Sequence, residues 1–224
     1  MKTITEQKPI EEIKEFIEND KNIYIIGCGT CATMTHTGGK TEVLQMKEQL
    51  EAMGKNVVGW MVIPSVCDDL TGEALKEDAE RVQKADSILV MACAFGTQTV
   101  AAFASEQDQP VYPALDTLFI GKGGGEFGLF AEVCKQCGDC LLGSTGGICP
   151  ITICPKGLLN GPCGGTNKGK CEEDPERDCA WTLIYKRLEK LGRIDEMKKY
   201  REPRNYQKVS RPGKVLVEAE GVKE

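Results

Sequence analysis

A chain of 224 residues can bury one good core but leaves a remainder too small to fold on apolar burial alone, so a domain with a cross-linked appendage is expected. The formal charge of -6 is uneven: residues 186–224 carry 12 Lys/Arg against 7 Asp/Glu, which leaves the rest of the chain strongly acidic and a poor surface for nucleic acid. No stretch reaches the roughly 18 apolar residues of a membrane span, and the opening MKTITEQKPIEEIKEFIEND has neither the basic stub nor the apolar run of an export signal. A cytoplasmic location is expected.

In chain order, NIYIIG from Asn22 is a short Ile-rich run ending in a glycine turn, and TGGKTEVLQMKEQLEAMG brings Val43, Leu44, Met46, Leu50 and Met53 to a helical spacing that ends at Gly54. The same alternation recurs in NVVGWMVIP followed by TGEALKEDAERVQKA, then SILVMA followed by GTQTVAAFASEQ, and last in VYPAL. Strands alternating with helices of this length predict an α/β fold, a flavodoxin-like doubly wound parallel sheet over residues 1–120 whose ligands bind beyond the carboxyl ends of the strands.

The early cysteines fall at those ends. Cys28 and Cys31 follow the first strand of the alternation in GCGTC, Cys67 follows the second in PSVCDD, and Cys93 follows the third in MACAFG. Neighbouring strands lie about 5 Å apart, so loops leaving one edge can converge four thiolates that are distant in sequence. The bland alternative makes Cys67 and Cys93 small buried hydrophobes. A rival use of the same turn, Gly27-x-Gly29-x-x-Ala32, fits a relaxed dinucleotide fingerprint, but Glu48 and Glu51, the acids at the right distance, fall on a helix rather than at a strand end.

Around GKGGGEFG the sheet pattern stops, and Gly121, Gly123, Gly124 and Gly125 read as a flexible joint. A cysteine-rich, ferredoxin-like region is expected over residues 121–181. It holds Cys134, Cys137, Cys140, Cys149, Cys154, Cys163, Cys171 and Cys179 with little apolar sequence between them. Ligand bonds must stand in for a core there. Zinc ribbons present cysteines in pairs, whereas Cys134-x2-Cys137-x2-Cys140 suits the wider cubane of a [4Fe-4S] cluster. Cys149-Pro150 and Cys154-Pro155 repeat the Cys-Pro ending of ferredoxin runs, although x8 replaces the usual x3 before the last cysteine. A reducing compartment disfavours disulfides, so all twelve cysteines are candidate metal ligands, forming two or three [4Fe-4S] clusters with zinc as the alternative in one four-cysteine site. Which cysteines share a centre cannot be read from spacing.

Asp174-Pro175 has the form of an N-cap with Pro at the first helical position, opening a helix through Trp181, Ile184, Tyr185, Leu188 and Leu191 to Gly192. Its apolar stripe is expected to pack between the two halves, and residues 182–224 form this helix and a basic, irregular tail. The one histidine, His36, lies in a loop after Cys31; it could tune a centre or relay a proton but is more simply incidental. No Ser/His/Asp set is possible, and the CxxxCxxC order of radical enzymes is absent.

The cysteine-rich half, through its GGICP, NGPCGG, GKCE and CAW elements, resembles the small iron-sulfur subunit, MetV type, of two-subunit methylenetetrahydrofolate reductases, and GCGTCATM and MACAFGTQTVA extend the likeness into the sheet. The resemblance implies a flavin-bearing (FMN or FAD) barrel partner that binds the folate and performs the hydride chemistry, while this chain delivers electrons to it and is not itself the catalyst. Further electron-transfer subunits are compatible with that role. Two other readings remain: a zinc-braced scaffold without electron transfer, and an iron-sulfur redox sensor, which would need a DNA-binding element that is not evident.

Overall fold

The computed structural model describes residues 1–104, 108–124, 126–209 and 211–213, with no side-chain description at 126–127. The elements in order are β1 (Lys2–Gln7), α1 (Ile10–Phe16), β2 (Asn22–Cys28), α2 (Cys31–Met34), α3 (Lys40–Ala52), β3 (Asn56–Ile63), α4 (Thr71–Glu77), α5 (Ala79–Val82), β4 (Ser87–Met91), α6 (Ala94–Ala104), β5 (Val111–Pro113), β6 (Leu115–Gly124), β7 (Glu126–Glu132), α7 (Pro150–Ile153) and α8 (Ala180–Lys190). The chain separates into two units, Met1–Ala131 and Glu132–Glu224.

The first unit contains the expected parallel sheet, four strands in the order β3-β2-β4-β5. With β2 counted as first, this is the flavodoxin-like arrangement, in which the chain winds outward from the centre in both directions. Both faces are covered, as period-two side chains require. Tyr24, Ile26, Ile88 and Val90 pack on one side with Leu75, Val82 and Val100, while Ile23, Ile25, Leu89 and Met91 pack on the other with Ile13, Ile17, Val43 and Leu50. Each such fully buried side chain contributes roughly 1.5–3 kcal/mol. The helix expected after β3 is interrupted: Asp78 separates α4 from α5 and accepts a 2.6 Å hydrogen bond from the Tyr24 hydroxyl. The buried ring and that bond push the Tyr24 pKa up.

Two features depart from expectation. The opening residues form β1, which pairs antiparallel with β6, and a second sheet runs β1-β6-β7. Three of the glycines expected to make a joint instead lie in a strand of this sheet: Gly121, Gly123 and Gly124 are in β6, where a Cβ on Gly121 would stand a tight 3.0 Å from Phe130 Cβ and 3.1 Å from Ile4 Cγ1, and Gly125 is outside the described residues. Glycine here marks close backbone approach rather than flexibility.

The Lys55 ammonium donates to the carbonyls of Ile17, Glu18 and Asp20 at 2.6, 3.0 and 2.7 Å, closing the loop after α1. Lys55→Met keeps the stem and removes the donors, so it should cost about 2 kcal/mol in a denaturant titration.

In the second unit the helix begins later than expected. Asp174 caps only a turn, accepting from Glu176 N–H at 3.1 Å, and α8 starts at Ala180 with Cys179 as its N-cap. The isolated bridge Lys170↔Asp178 closes the chain around that turn, and the helix starts only beyond it. The end is as expected, with Gly192 at φ 64 beyond the last turn. The apolar stripe packs within its own unit: Trp181, Ile184 and Leu188 bury against Ile148, Leu158, Ile194 and Met197. Residue 210 and residues 214–224, much of the basic tail, lie outside the described residues.

Candidate metal centres

The carboxyl edge of the parallel sheet is where the first four cysteines stand. Cys28 is the last residue of β2 and pairs in register with Ile63, the last of β3, while Gly27 pairs with Met91, the last of β4. Cys93 follows two residues after Met91 and immediately precedes α6, its carbonyl accepting from Thr97 N–H at 3.0 Å. Cys67 is exposed in the loop after β3, and Cys31 opens α2. Cys28 and Cys93 are buried at the edge itself.

Backbone contacts hold the edge together. Gly29 N–H donates to Ile63 O at 2.8 Å, and a Cβ at Gly29 would stand 3.1 Å from Pro64 Cα, so the Cys28–Cys31 turn lies directly on the loop that carries Cys67. On its other side Cys28 N–H donates to Gly38 O at 2.9 Å. The dinucleotide alternative loses its geometry here, because the turn leads into a helix of only four residues and the long helix α3 starts at Lys40. A pyrophosphate site needs a sustained helix opening at the turn.

His36 lies at φ 54 beside a cavity of about 610 Å³ that it shares with Ile4, Thr5, Met34, Thr35, Leu129 and Phe130. The Thr5 and Thr37 hydroxyls meet at 2.6 Å behind it.

In the second unit, Gln136 at φ 47 and Gly138 at φ 71 turn the chain between the cysteines of the run, and Gln136 N–H approaches Cys134 Sγ at 3.4 Å. The chain returns to this loop from far along the sequence: Arg204 Nη2 donates to Cys137 O at 3.1 Å, and Lys208 pairs with Asp139 at 3.0 Å. Hydrogen bonding with the Asp139 backbone, helped by the Arg204 guanidinium, holds the Cys137 thiol below its ordinary range. Arg204 Nε is buried without a hydrogen-bond partner. A spare cationic donor beside a thiol is the environment an anionic cluster needs.

Cys149 immediately precedes α7 and Cys154 immediately follows it. Cys154, Cys163, Cys171 and Cys179 line one cavity of about 20 Å³, together with Lys156, Glu172 and Trp181. Lys156 is ion-paired with Glu172, whose carboxylate also lies 3.4 Å from Cys163 Sγ. Burial opposes ionisation of Cys179, but hydrogen bonds from Thr182, Trp181 N–H and Thr166 outweigh it and lower that thiol's pKa. Among the described residues no three His, Cys, Asp or Glu side chains are drawn tightly enough to hold an ion as they stand. Four of the twelve cysteines thus stand along one sheet edge and four line one cavity, while Cys134, Cys137, Cys140 and Cys149 follow one another along the sequence. Sequence reasoning missed Arg204 and Lys208, since basic residues 67 and 69 positions downstream of their partners in a cysteine loop carry no local signal.

An α/β protein with cysteines at the ligand-binding edge of its sheet, followed by a cysteine-rich unit, is the class these features define. Residues 112–207 match the family described as methylene-tetrahydrofolate reductase C terminal. The resemblance drawn from GGICP, NGPCGG and CAW, that of the MetV-type small subunit, is borne out over this span. No curated protein and no solved structure matches the chain. Among the described residues no helix is long and apolar enough to cross a membrane.

Proposed function

We propose that this chain is the iron-sulfur electron-delivery subunit of a methylenetetrahydrofolate reductase, holding [4Fe-4S] clusters and passing electrons to the flavin of a separate catalytic subunit. The observation that carries the reading is the placement of Cys28, Cys31, Cys67 and Cys93 at the carboxyl ends of three adjacent parallel strands, in a chain whose residues 112–207 match the reductase family. Bound clusters supply one-electron transfer, which a flavin can gather in pairs for the reduction of 5,10-methylenetetrahydrofolate to 5-methyltetrahydrofolate.

The chain's own residues do the rest. Cys28 and Cys93 offer thiolates from the buried edge, and Cys31 and Cys67 offer theirs from the loops above it. Cys134, Cys137 and Cys140, with Cys149 as the Cys-Pro ligand, take a second cluster, whose negative charge Arg204 and Lys208 offset. Arg204 Nε is the free donor that such a cluster would engage. The folate and the hydride step are assigned to the flavin-bearing partner, as the family resemblance implies.

The test is elemental. Anaerobically purified chain should carry at least about eight irons with matching acid-labile sulfide, the content of two cubanes, and its brown colour should bleach with dithionite. A colourless protein without sulfide would overturn the reading, and the isolated chain should reduce no folate until a flavin-bearing partner is added.

A further inference from the structure

We infer that Arg204 sets the reduction potential of the centre assigned to Cys134, Cys137 and Cys140, its Nε–H donating to sulfur there, and that the segment 201–209 is a strap that holds it in place. The inference rests on the electron-delivery reading and adds to it what decides how readily this centre takes an electron.

The strap is tied down along its length. At its start the Asn160 side chain makes a reciprocal pair with the Arg201 backbone, Nδ2 donating to Arg201 O at 2.9 Å and Arg201 N–H to Oδ1 at 2.8 Å. Farther on, Asn205 accepts from Gln207 N–H at 2.9 Å and starts the single 3-10 turn Tyr206–Lys208. Val209 then packs on Gly138 so closely that a Cβ on this glycine would collide with Val209 Cγ2. Beyond it, Arg211 Nη2 donates to Gln136 O at 3.4 Å.

That frame leaves Arg204 little freedom. Its Nη2 donates to Cys137 O at 3.1 Å, and its guanidinium lies over the Tyr206 ring, 5.6 Å from the centroid, so its plane is fixed from two directions. Nε is then buried with no partner. Arginine cannot shed its charge, and a buried donor without an acceptor is costly, so the sulfur of an anionic centre is the acceptor this arrangement suits. The other cations on the loop are placed differently: Lys208 is half-exposed and paired with Asp139, and Arg211 is exposed. Solvent screens both.

Reduction brings one electron from a low-potential donor onto the centre, with no bond formed or broken. A cationic donor held out of water stabilises the more negative, reduced form and raises the potential. Arg204 thereby makes this centre easier to reduce.

Redox titration of the full chain, purified without oxygen and followed by electron paramagnetic resonance, tests this on the signal that Cys134→Ser abolishes. Arg204→Met should lower the reduced-to-oxidised ratio of that signal about tenfold at a fixed solution potential, ~59 mV for one electron. Lys208→Met should move it less than about twofold, because that charge is screened. Arg204→Lys keeps a donor for Cys137 O but has no fork to offer a second one, so it should recover only a minor part of the shift. Should Arg204→Met fail to fold or to hold the centre, wild-type protein carrying isotope-labelled arginine gives the second reading, a hyperfine coupling from arginine nitrogen in the reduced signal. An unmoved potential in Arg204→Met, full recovery in Arg204→Lys, an equal shift in Lys208→Met, no signal lost in Cys134→Ser, or no arginine coupling would each overturn the role of Arg204 and leave electron delivery standing. Wild-type protein without acid-labile sulfide would instead sink the electron-delivery reading, and this inference with it.

Discussion

Cys93→Ala should strip about four irons and four sulfides from the anaerobically purified chain while leaving the remaining metal in place. Cys93 is only 7 % exposed and sits between β4 and α6, so little solvent reaches its place to supply a substitute ligand. Alanine fits the same space, and the hydrogen bond from Thr97 N–H uses the Cys93 carbonyl, which the substitution retains. The fold should therefore survive, with circular dichroism unchanged, and the loss of iron would report ligation alone. An iron content equal to wild type would refute the sheet-edge centre and return Cys93 to the role of a buried hydrophobe.

Gly38→Ala should be the most disruptive single methyl in the first unit. A Cβ there would stand 2.1 Å from Met91 O and 3.0 Å from Met91 Cβ, on the backbone of a fully buried central strand that cannot yield. The loop must lift instead, and with it goes the 2.9 Å bond from Cys28 N–H to Gly38 O. A loss of about 3 kcal/mol in denaturant titration is expected, together with reduced iron in the sheet-edge set. Gly143→Ala, with nothing within 4 Å, is the control and should be nearly neutral. Equal stability of the two variants would show that the loop has more freedom than its packing indicates.

The parallel sheet was legible because its strands are apolar on both faces and its helices carry the longer period: NIYIIG, NVVGWMVI and SILVM could be ordered by their intervening helices, and the cysteines after them fell on one edge by topology alone. β1 was not legible, since KTITEQ reads as polar surface and becomes a strand only by pairing with Leu115–Gly121, more than a hundred residues away. The same non-locality turned a run of glycines from an apparent hinge into strand. The late start of α8 has a non-local cause: Asp174-Pro175 is a sound capping signal, but it lies in the turn enclosed by the bridge between Lys170 and Asp178. The shared cavity of Cys154, Cys163, Cys171 and Cys179 was hidden for a further reason, because spacing reports loop length and not which loops meet.

The return of Arg204 and Lys208 onto the Cys134–Cys140 loop has a practical corollary. Trimming the polypeptide at the end of α8 to obtain a tidier protein would discard the cations that offset the proposed cluster, and the shortened form would be expected to shed metal in air faster than the intact one.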